Sequence, residues 1–202
     1  MKNKSDNNII LSNQKIDIDS IINSEFERNK IEKSKSNNSE LSDDKKSHSV
    51  KPKTKFSNQN SKNNININDL TYFIILADDN HLINTCNERI IEGIMSELNL
   101  FKYEVIKVSD GLDVIKIFLN NEVKDKIKLI ITDENMDYFN GSEMIKFLRK
   151  VERLMKLNPI KIASVSSEDD IRHKDYLINC GADFVFSKPL SKSNVKAALL
   201  NN

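Results

Sequence analysis

The sequence predicts an α/β fold, a doubly wound five-stranded parallel sheet, for the last two thirds of a 202-residue chain. Five short runs rich in β-branched and aromatic residues alternate with amphipathic stretches after residue 68. The connections are short, and right-handed crossovers then place helices on both faces of the sheet. The central run, residues 129–132, has no charged residue, as a strand buried on both faces requires.

Residues 1–67 have the composition of a disordered tail or linker. They contain no glycine, a single proline and two aromatic residues, and Asn, Ser and Lys dominate. Ordering such a segment costs roughly 1–2 kcal/mol per residue, which so few apolar side chains do not offset. Isoleucines between residues 16 and 34 recur loosely at helical spacing, which leaves open a short partner-docking helix or an Ile-rich coil. The folded domain is therefore expected at 68–202.

Charge and composition argue against several functions. The tail carries 13 basic and 9 acidic residues and the remainder 18 and 21, so neither part has the dense basic face that binds nucleic acid. The longest apolar run, residues 72–77, is far shorter than the roughly 20 residues that span a membrane, and we expect no signal peptide. Cys86 and Cys180 are expected to pack as small hydrophobic side chains in a reducing compartment, cytoplasmic or nuclear.

The first strand is predicted at residues 72–77 and ends on the acidic doublet Asp78-Asp79. Apolar residues, Leu82 and Cys86 among them, then recur at three and four positions to about residue 98, which predicts an amphipathic helix that buries them. Gly93 inside this helix costs about 1 kcal/mol relative to alanine, so we expect a close packing contact there. The pattern of a strand that ends on acids begins here and is repeated at the centre of the sheet.

Residues 103–108 alternate between apolar and polar side chains, which predicts a strand near the edge of the sheet. A turn at 109–111 leads into the second helix. The central strand stops at Asp133. The third helix is expected over 142–157, with Leu154 among the residues that it buries.

Two further pairs of strand and helix follow. Residues 160–165 predict the fourth strand, which ends at Ser166, and its helix is expected over 168–180 before a capping glycine. The fifth strand, residues 184–186, ends just before Lys188, and a short helix closes the domain. Four of the five strands thus end on a residue able to do chemistry.

Parallel strands bring their carboxyl ends to one edge, so we expect convergence there of Asp78, Asp79, Asp133, Ser166 and Lys188. Each of these alone is common in turns and helix caps, and only their joint appearance carries the prediction. Carboxylates about 4 Å apart repel by about 4 kcal/mol per pair at an effective dielectric near 20. The cluster therefore predicts a divalent cation, and Mg²⁺ prefers such oxygen ligands. A hydroxyl and a lysine beside a carboxylate nucleophile suit a phosphoryl group.

Residues 71–202 resemble the receiver domain of two-component response regulators, either stand-alone or at the carboxyl end of a hybrid histidine kinase. The matching pieces are Ala77-Asp-Asp-Asn80, Asp133-Glu-Asn-Met-Asp-Tyr-Phe-Asn-Gly141, Ile162-Ala-Ser-Val-Ser-Ser167, Gly181-Ala-Asp183 and Ser187-Lys-Pro189. The resemblance implies a flavodoxin-like (βα)5 sheet in strand order 2-1-3-4-5. It also implies a signalling domain that is not an enzyme in the usual sense, since it catalyses only its own phosphorylation and dephosphorylation.

The resemblance assigns roles to individual residues. Asp133 is the implied phosphoacceptor, and Ser166 and Lys188 are the phosphoryl-sensing hydroxyl and phosphoryl-binding lysine. The implied Mg²⁺ ligands are Asp78, Asp79, Asp133 and the backbone carbonyl of Asn135. The implied partner is a histidine kinase or a histidine phosphotransfer protein that passes on its phosphoryl group. A downstream effector follows from the family but is not named by the sequence, and neither nucleic acid nor a membrane is expected to bind.

Two positions depart from the family pattern. Asp137 stands where a proline is usual, which adds a charge near the site and is expected to loosen the loop. Val185, between Phe184 and Phe186, occupies a commonly aromatic position of the family's switch. These departures leave open a degenerate receiver that acts only as a protein-binding module.

Two hypotheses from other families are weaker. An aspartate-nucleophile phosphatase of the haloacid dehalogenase type also combines a strand-end Asp with Mg²⁺, but its usual second Asp is Asn135 here. An FMN-binding flavodoxin-like module needs a phosphate-cradling loop rich in Gly, Ser or Thr after the first strand. The first strand here runs into acids instead.

Overall fold

The computed structural model of the protein describes four stretches of the chain: residues 8–11, 14–17, 71–99 and 102–201. The chain divides into two units, residues 1–63 and 64–202.

The first unit contains a small antiparallel hairpin. Strand Asn8–Leu11 pairs with strand Gln14–Asp17, with an isoleucine opposite an isoleucine. The disordered tail expected over 1–67 stays a prediction. The rest of the predicted tail at 1–67, including nearly all of the helix considered at 16–34, lies outside the described residues. The boundary between 67 and 68 therefore stays a prediction.

Five strands form the sheet of the second unit. They are β1 (Tyr72–Ala77), β2 (Tyr103–Val108), β3 (Ile127–Asp133), β4 (Lys161–Ser166) and β5 (Phe184–Ser187). All neighbours pair in parallel, in the order β2-β1-β3-β4-β5. This confirms the doubly wound sheet and the order 2-1-3-4-5, with β3 at the centre and β2 at one edge.

Five helices alternate with the strands. They are α1 (His81–Leu98), α2 (Gly111–Phe118), α3 (Gly141–Met155), α4 (Ile171–Cys180) and α5 (Lys192–Leu200). A short 3-10 helix, Lys124–Lys126, precedes β3. Helix α1 packs with α5 over one face, whereas α2, α3 and α4 pack in succession, as right-handed crossovers dictate for the other face.

The core lies on both sides of β1 and β3. Because strand side chains alternate, Ile74 and Leu129 pack under α1 and α5, while their neighbours Ile75 and Ile130 are buried against the opposite layer. Residues 129–133 of β3 are all buried. Burial on both faces therefore continues to Asp133 at the carboxyl end of β3.

The buried stripe of α1 differs from the one the sequence predicts. Leu82 is 70 % exposed and Cys86 is also exposed, whereas Asn84 and Asn87 are buried. Cys180 is buried as expected. A helix of 3.6 residues per turn buries one arc, and polar groups with partners can occupy it. The pattern of apolar residues alone therefore predicts a buried arc that is rotated relative to the observed one.

Gly93 and Leu154 also differ from expectation. A Cβ added at Gly93 would meet nothing within 4 Å, so no close packing explains this glycine. Leu154 is 55 % exposed, and α3 ends at Met155 with Lys156 in a left-handed conformation. Leu154 lies about 120° around the helix from the fully buried Leu148, and Met155 is buried in its place. Among the helices that the structure describes, none is both long and apolar enough to cross a membrane.

Candidate functional site

Polar residues at the strand ends gather at the carboxyl edge of the sheet. Asp78 and Asp79 follow β1, Asp133 and Ser166 end β3 and β4, and Lys188 follows β5. All five strands run parallel, so these ends share one edge. Asp78, Asp133 and Ser166 are buried, whereas Asp79 is exposed. The structure brings the three acids and the lysine together, while the Ser166 hydroxyl makes separate contacts.

We call Asp78, Asp79, Asp133 and Lys188 the acidic cluster. One carboxylate oxygen of each acid lies within 4.8 Å of those of the other two. Lys188 Nζ lies 2.8 Å from Asp133 Oδ2 and 3.0 Å from Asp78 Oδ2. With every group ionised, one ammonium neutralises one of three carboxylates, which leaves an excess of negative charge.

Burial and repulsion raise the pKa of two of the acids, Asp133 and Asp79. Burial raises the pKa of the Asp133 carboxyl, and the hydrogen bond and charge of Lys188 offset this only in part. Burial, together with the negative charges of Asp78, Asp137 and Asp133, raises the pKa of Asp79. Burial lowers the pKa of Lys188, but its bonds to Asp133 and Asp78 outweigh that effect, so its pKa is raised. The Lys188 ammonium stays charged, and it compensates the negative charge of the three acids only in part.

The donor set fits a hard divalent cation. Mg²⁺ takes oxygen ligands at roughly 2.0–2.1 Å, so ligands on opposite sides of the ion lie about 4.2 Å apart. The three carboxylate oxygens span at most 4.8 Å, which is close to that distance. Asn135, whose carbonyl the family resemblance adds to the ligands, is an exposed residue two positions after Asp133. Geometry and charge are therefore compatible with Mg²⁺.

Two asparagines fix the backbone around Asp78. Asn80 donates its N–H to Asp78 Oδ1 at 2.9 Å, and its own Oδ1 caps α1 by accepting from Leu82 N at 3.0 Å. Asn84 Nδ2 donates to the carbonyls of Asp78 and Val108, at 2.8 and 2.9 Å. The ends of β1 and β2 are thus tied to α1. Sequence reasoning missed Asn84 because a polar residue on a helix ordinarily marks the solvent face.

The loop between β3 and α3, residues 134–140, is anchored from the turn after β2. Asp110 Oδ2 accepts from the backbone N–H groups of Tyr138 and Phe139, both at 3.0 Å. The side chain of Phe139 is buried, whereas Asp137 is exposed. These bonds hold the loop without a proline, and the loosening expected from Asp137 stays a prediction. The sequence predicts Asp110 only as a turn residue, although Asp is also a favoured N-cap, the position it holds at the start of α2.

Helix α3 begins against the backbone of Asp133. Gly141 N donates to Glu134 O at 3.0 Å, and a Cβ at Gly141 would lie 2.3 Å from Asp133 O. The buried Glu134 carboxylate accepts from Ser142 N at 2.8 Å and from Ser142 Oγ at 2.7 Å. Burial raises the pKa of Glu134, while the bonds from Ser142 lower it in part. Close contact with the start of α3 therefore fixes the backbone of Asp133.

Ser166, Glu168 and His173 form a second group, which we call the serine relay. Ser166 Oγ lies 3.2 Å from His173 Nε2 and accepts from Glu168 N at 3.1 Å. His173 Nδ1 lies 3.3 Å from Glu168 Oε2. His173 stands in the first turn of α4, away from any strand end, so the reasoning that found the other site residues missed it. The sequence signal that could have identified it is a histidine in the first turn of the helix that follows Ser166.

The ends of β4 and β5 are joined through the backbone. Lys188 N donates to Ser166 O at 2.8 Å. Phe184 and Phe186 stack with ring centroids 5.8 Å apart and pack on the α1 and α5 side. By strand alternation the half-buried Val185 faces the α4 side. The two rings beside Val185 therefore do not lie on the face that carries the serine relay.

Comparison with known proteins agrees with this architecture. The family model of the response regulator receiver domain matches residues 74–200. Stress response regulator protein 1 of Candida albicans is 27 % identical over 124 residues, which is 61 % of this chain and 39 % of that protein. The chain thus spans well under half the length of the curated relatives that it matches.

Solved structures share the fold. A two-component response regulator from Cytophaga hutchinsonii has a TM-score of 0.52 and 25 % identity, covering 62 % of this chain and 92 % of that one. The complex of the Saccharomyces cerevisiae histidine phosphotransfer protein Ypd1 with the receiver domain of Ssk1 gives a TM-score of 0.51 and 16 % identity, covering 64 % of this chain and 86 % of that one.

Proposed function

The chain belongs to the response regulator receiver domain family, and from this premise we propose that it accepts a phosphoryl group on Asp133 in a two-component His-Asp phosphorelay. One observation carries the proposal. Lys188 Nζ bridges Asp133 Oδ2 and Asp78 Oδ2 at 2.8 and 3.0 Å, beside the third acid Asp79. A nucleophile, a fixed positive charge and a set of metal ligands are thus close enough to act on one phosphoryl group.

The reaction is a transfer between a phosphohistidine and the Asp133 carboxylate. An Asp133 oxygen attacks phosphorus, the P–O bond forms as the P–N bond breaks, and the imidazole leaves with the bonding electrons and takes up a proton. Lys188 lies within hydrogen-bond distance of the attacking carboxylate and is placed to bind an oxygen of the phosphoryl group. Such positioned charge is the main catalytic contribution in phosphoryl transfer.

We propose that Asp78, Asp79, Asp133 and the carbonyl of Asn135 hold Mg²⁺. When bound, the ion supplies positive charge between the carboxylates and the phosphoryl oxygens. The protein's own part is to keep the acids clustered, with Asn80 and Asn84 fixing the backbone of Asp78. The raised pKa values of Asp133 and Asp79 reflect burial and, at Asp79, like charges that a cation would offset.

The partner follows from the same chemistry. We propose that the donor is a histidine kinase or a histidine phosphotransfer protein; the Ssk1 receiver, which has the same fold, was solved in complex with the phosphotransfer protein Ypd1. Residues 68–202 form the receiver and 1–67 a tail or linker. The protein catalyses only its own phosphorylation and dephosphorylation, and Ser166 senses the phosphoryl group for an effector that recognises the altered surface.

The test is phosphorylation of the full chain with acetyl phosphate and Mg²⁺, followed by intact-mass spectrometry. We expect one base-labile phosphoryl group on the wild type and none on Asp133→Asn. Asp137→Asn removes the same charge from the adjacent exposed loop and should still be labelled. Label persisting on Asp133→Asn would refute the assignment, and an unlabelled wild type would favour the degenerate receiver instead.

A further inference from the structure

The Ser166 hydroxyl already has two partners in the protein as it stands. Ser166 is fully buried, and its Oγ accepts from Glu168 N at 3.1 Å. His173 Nε2 lies 3.2 Å away on the other side. A hydroxyl has one proton to donate and two lone pairs that accept, and with one lone pair facing Glu168 N we assign that proton to the contact with His173 Nε2.

The far side of the His173 ring supports this assignment. His173 Nδ1 lies 3.3 Å from the Glu168 carboxylate, which only accepts, so we assign the proton of the neutral ring to Nδ1, and this leaves Nε2 as an acceptor. The side chain of His173 is 16 % exposed, so protein groups surround most of the ring. Glu168 thus orients both members of the pair, its backbone holding the serine and its side chain holding the histidine.

A hydroxyl that senses a phosphoryl group must donate its proton to a phosphoryl oxygen. It cannot do so while it donates to His173, so sensing requires an exchange of one hydrogen bond for another. Val185, on the same side of the sheet, is an aliphatic residue without a hydrogen-bonding group. His173 is the ring that contacts Ser166 directly.

We propose that His173 is a positioning residue that holds the Ser166 hydroxyl in the unphosphorylated protein and releases it when Asp133 is phosphorylated. This inference rests on the proposed function. Released from Ser166, the His173 ring retains its contact with Glu168 and its tilted ring neighbour Tyr176, whose centroid lies 6.3 Å away. Tyr176 is 43 % exposed, so the exchange reaches the surface of α4.

The test compares two substitutions of matched size. His173→Leu removes the acceptor, and His173→Gln restores one near the position of Nε2. In His173→Leu the Ser166 hydroxyl is free of the competing bond. The equilibrium constant for phosphorylation, measured as the phosphorylated fraction at subsaturating acetyl phosphate, should therefore rise about fivefold, the factor that one neutral hydrogen bond contributes. His173→Gln should stay near wild type. In a Ser166→Ala background, His173→Leu should have no further effect, since its action passes through the hydroxyl.

An NMR measurement on the intact protein provides a second test without substituting His173. The imidazole Nε2 resonance of His173 should shift when acetyl phosphate and Mg²⁺ are added to the wild type, and should not shift in Ser166→Ala. A wild type that is labelled on Asp133 without any change at Nε2, or a His173→Leu variant that behaves as the wild type, overturns this inference alone. A wild type that takes up no phosphoryl group overturns the proposed function, and this role of His173 with it.

Discussion

The acidic cluster and the serine relay lie at the same edge of the sheet but are held together by different forces. The acidic cluster joins residues far apart in sequence through charge, with Lys188 Nζ within 3.0 Å of two carboxylates. The serine relay joins residues at most seven positions apart, through the two contacts of Ser166 Oγ and one between His173 and Glu168. Hydrogen bonds with charged partners contribute about twice as much as neutral ones. The stronger contacts therefore suit phosphoryl capture and the weaker ones suit a reversible response to it.

Lys188→Met should give the largest effect, because it removes the only positive charge that contacts the acidic cluster among the described residues. We expect the rate of phosphorylation by acetyl phosphate to fall about a hundredfold or more. The free energy of unfolding should fall by up to about 3 kcal/mol, since two largely buried carboxylates lose their partner. Intact-mass kinetics and urea unfolding measure the two effects.

Lys192→Met, at an exposed position in the first turn of α5, is the matched control and should change neither quantity. Added Mg²⁺ should stabilise Lys188→Met more than the wild type, because the cation then supplies charge that the lysine otherwise provides. Equal stabilisation of both proteins would contradict the idea that Lys188 and the metal ion offset the same negative charge.

Asp79→Ala should weaken Mg²⁺ binding by about tenfold or more, since it removes a proposed ligand. It should also stabilise the metal-free protein. Burial and neighbouring acids raise the pKa of Asp79, so the folded state holds its proton more tightly than the unfolded state, and at neutral pH the ionised group disfavours folding. Mg²⁺ titration and thermal unfolding provide the measurements. Asp137→Ala should have the smaller effect on affinity, and an unchanged titration in Asp79→Ala would refute the metal site.

Ser166→Ala separates the two regions directly. It should leave the acidic cluster able to take up a phosphoryl group, yet lose most of the phosphorylation-dependent change on α4 and β5. Val185→Ala should alter that change little, because Val185 has no polar group to exchange. Backbone NMR shifts with and without acetyl phosphate compare the two variants. Equal loss of response in both would show that position 185 takes part in the switch.

Gly93→Ala should give the smallest effect and serves as a reference outside both regions. The position is exposed within α1 and has room for a methyl group. Replacing a helical glycine by alanine should raise the free energy of unfolding by about 0.5–1 kcal/mol. Phosphorylation should not change. A destabilised variant would show that Gly93 has the close packing role that its contacts do not support.

Strand ends were the part of the molecule that the sequence predicted best. The apolar runs that stop at Asp78, Asp133 and Ser166 are typical of strands in a parallel sheet. Such a sheet places the residues that follow its strands at one edge. Lys188 was found for the same reason. These positions follow from chain topology and do not depend on knowing any side-chain conformation.

Helix faces and helix-borne contacts were predicted less well. Leu82 and Leu154 are apolar but exposed, because helical periodicity leaves the direction of the buried arc ambiguous when apolar residues surround it. Asn84 and His173 contact strand ends from neighbouring helices. Their partners are known only once the helices are docked, so no spacing rule along the chain identifies them.

The backbone contact at Gly141 makes one position vulnerable although it carries no side chain. Any larger residue there would collide with the carbonyl of Asp133, where a Cβ has only 2.3 Å of room. Relief of that collision must displace either the start of α3 or the phosphoacceptor itself. A random-mutagenesis screen for loss of phosphorylation should therefore recover replacements of this glycine alongside those of the acids. Such variants would be inactive because the Asp133 carboxylate, although unaltered, is misplaced. Any redesign of the site therefore has to keep a glycine at position 141.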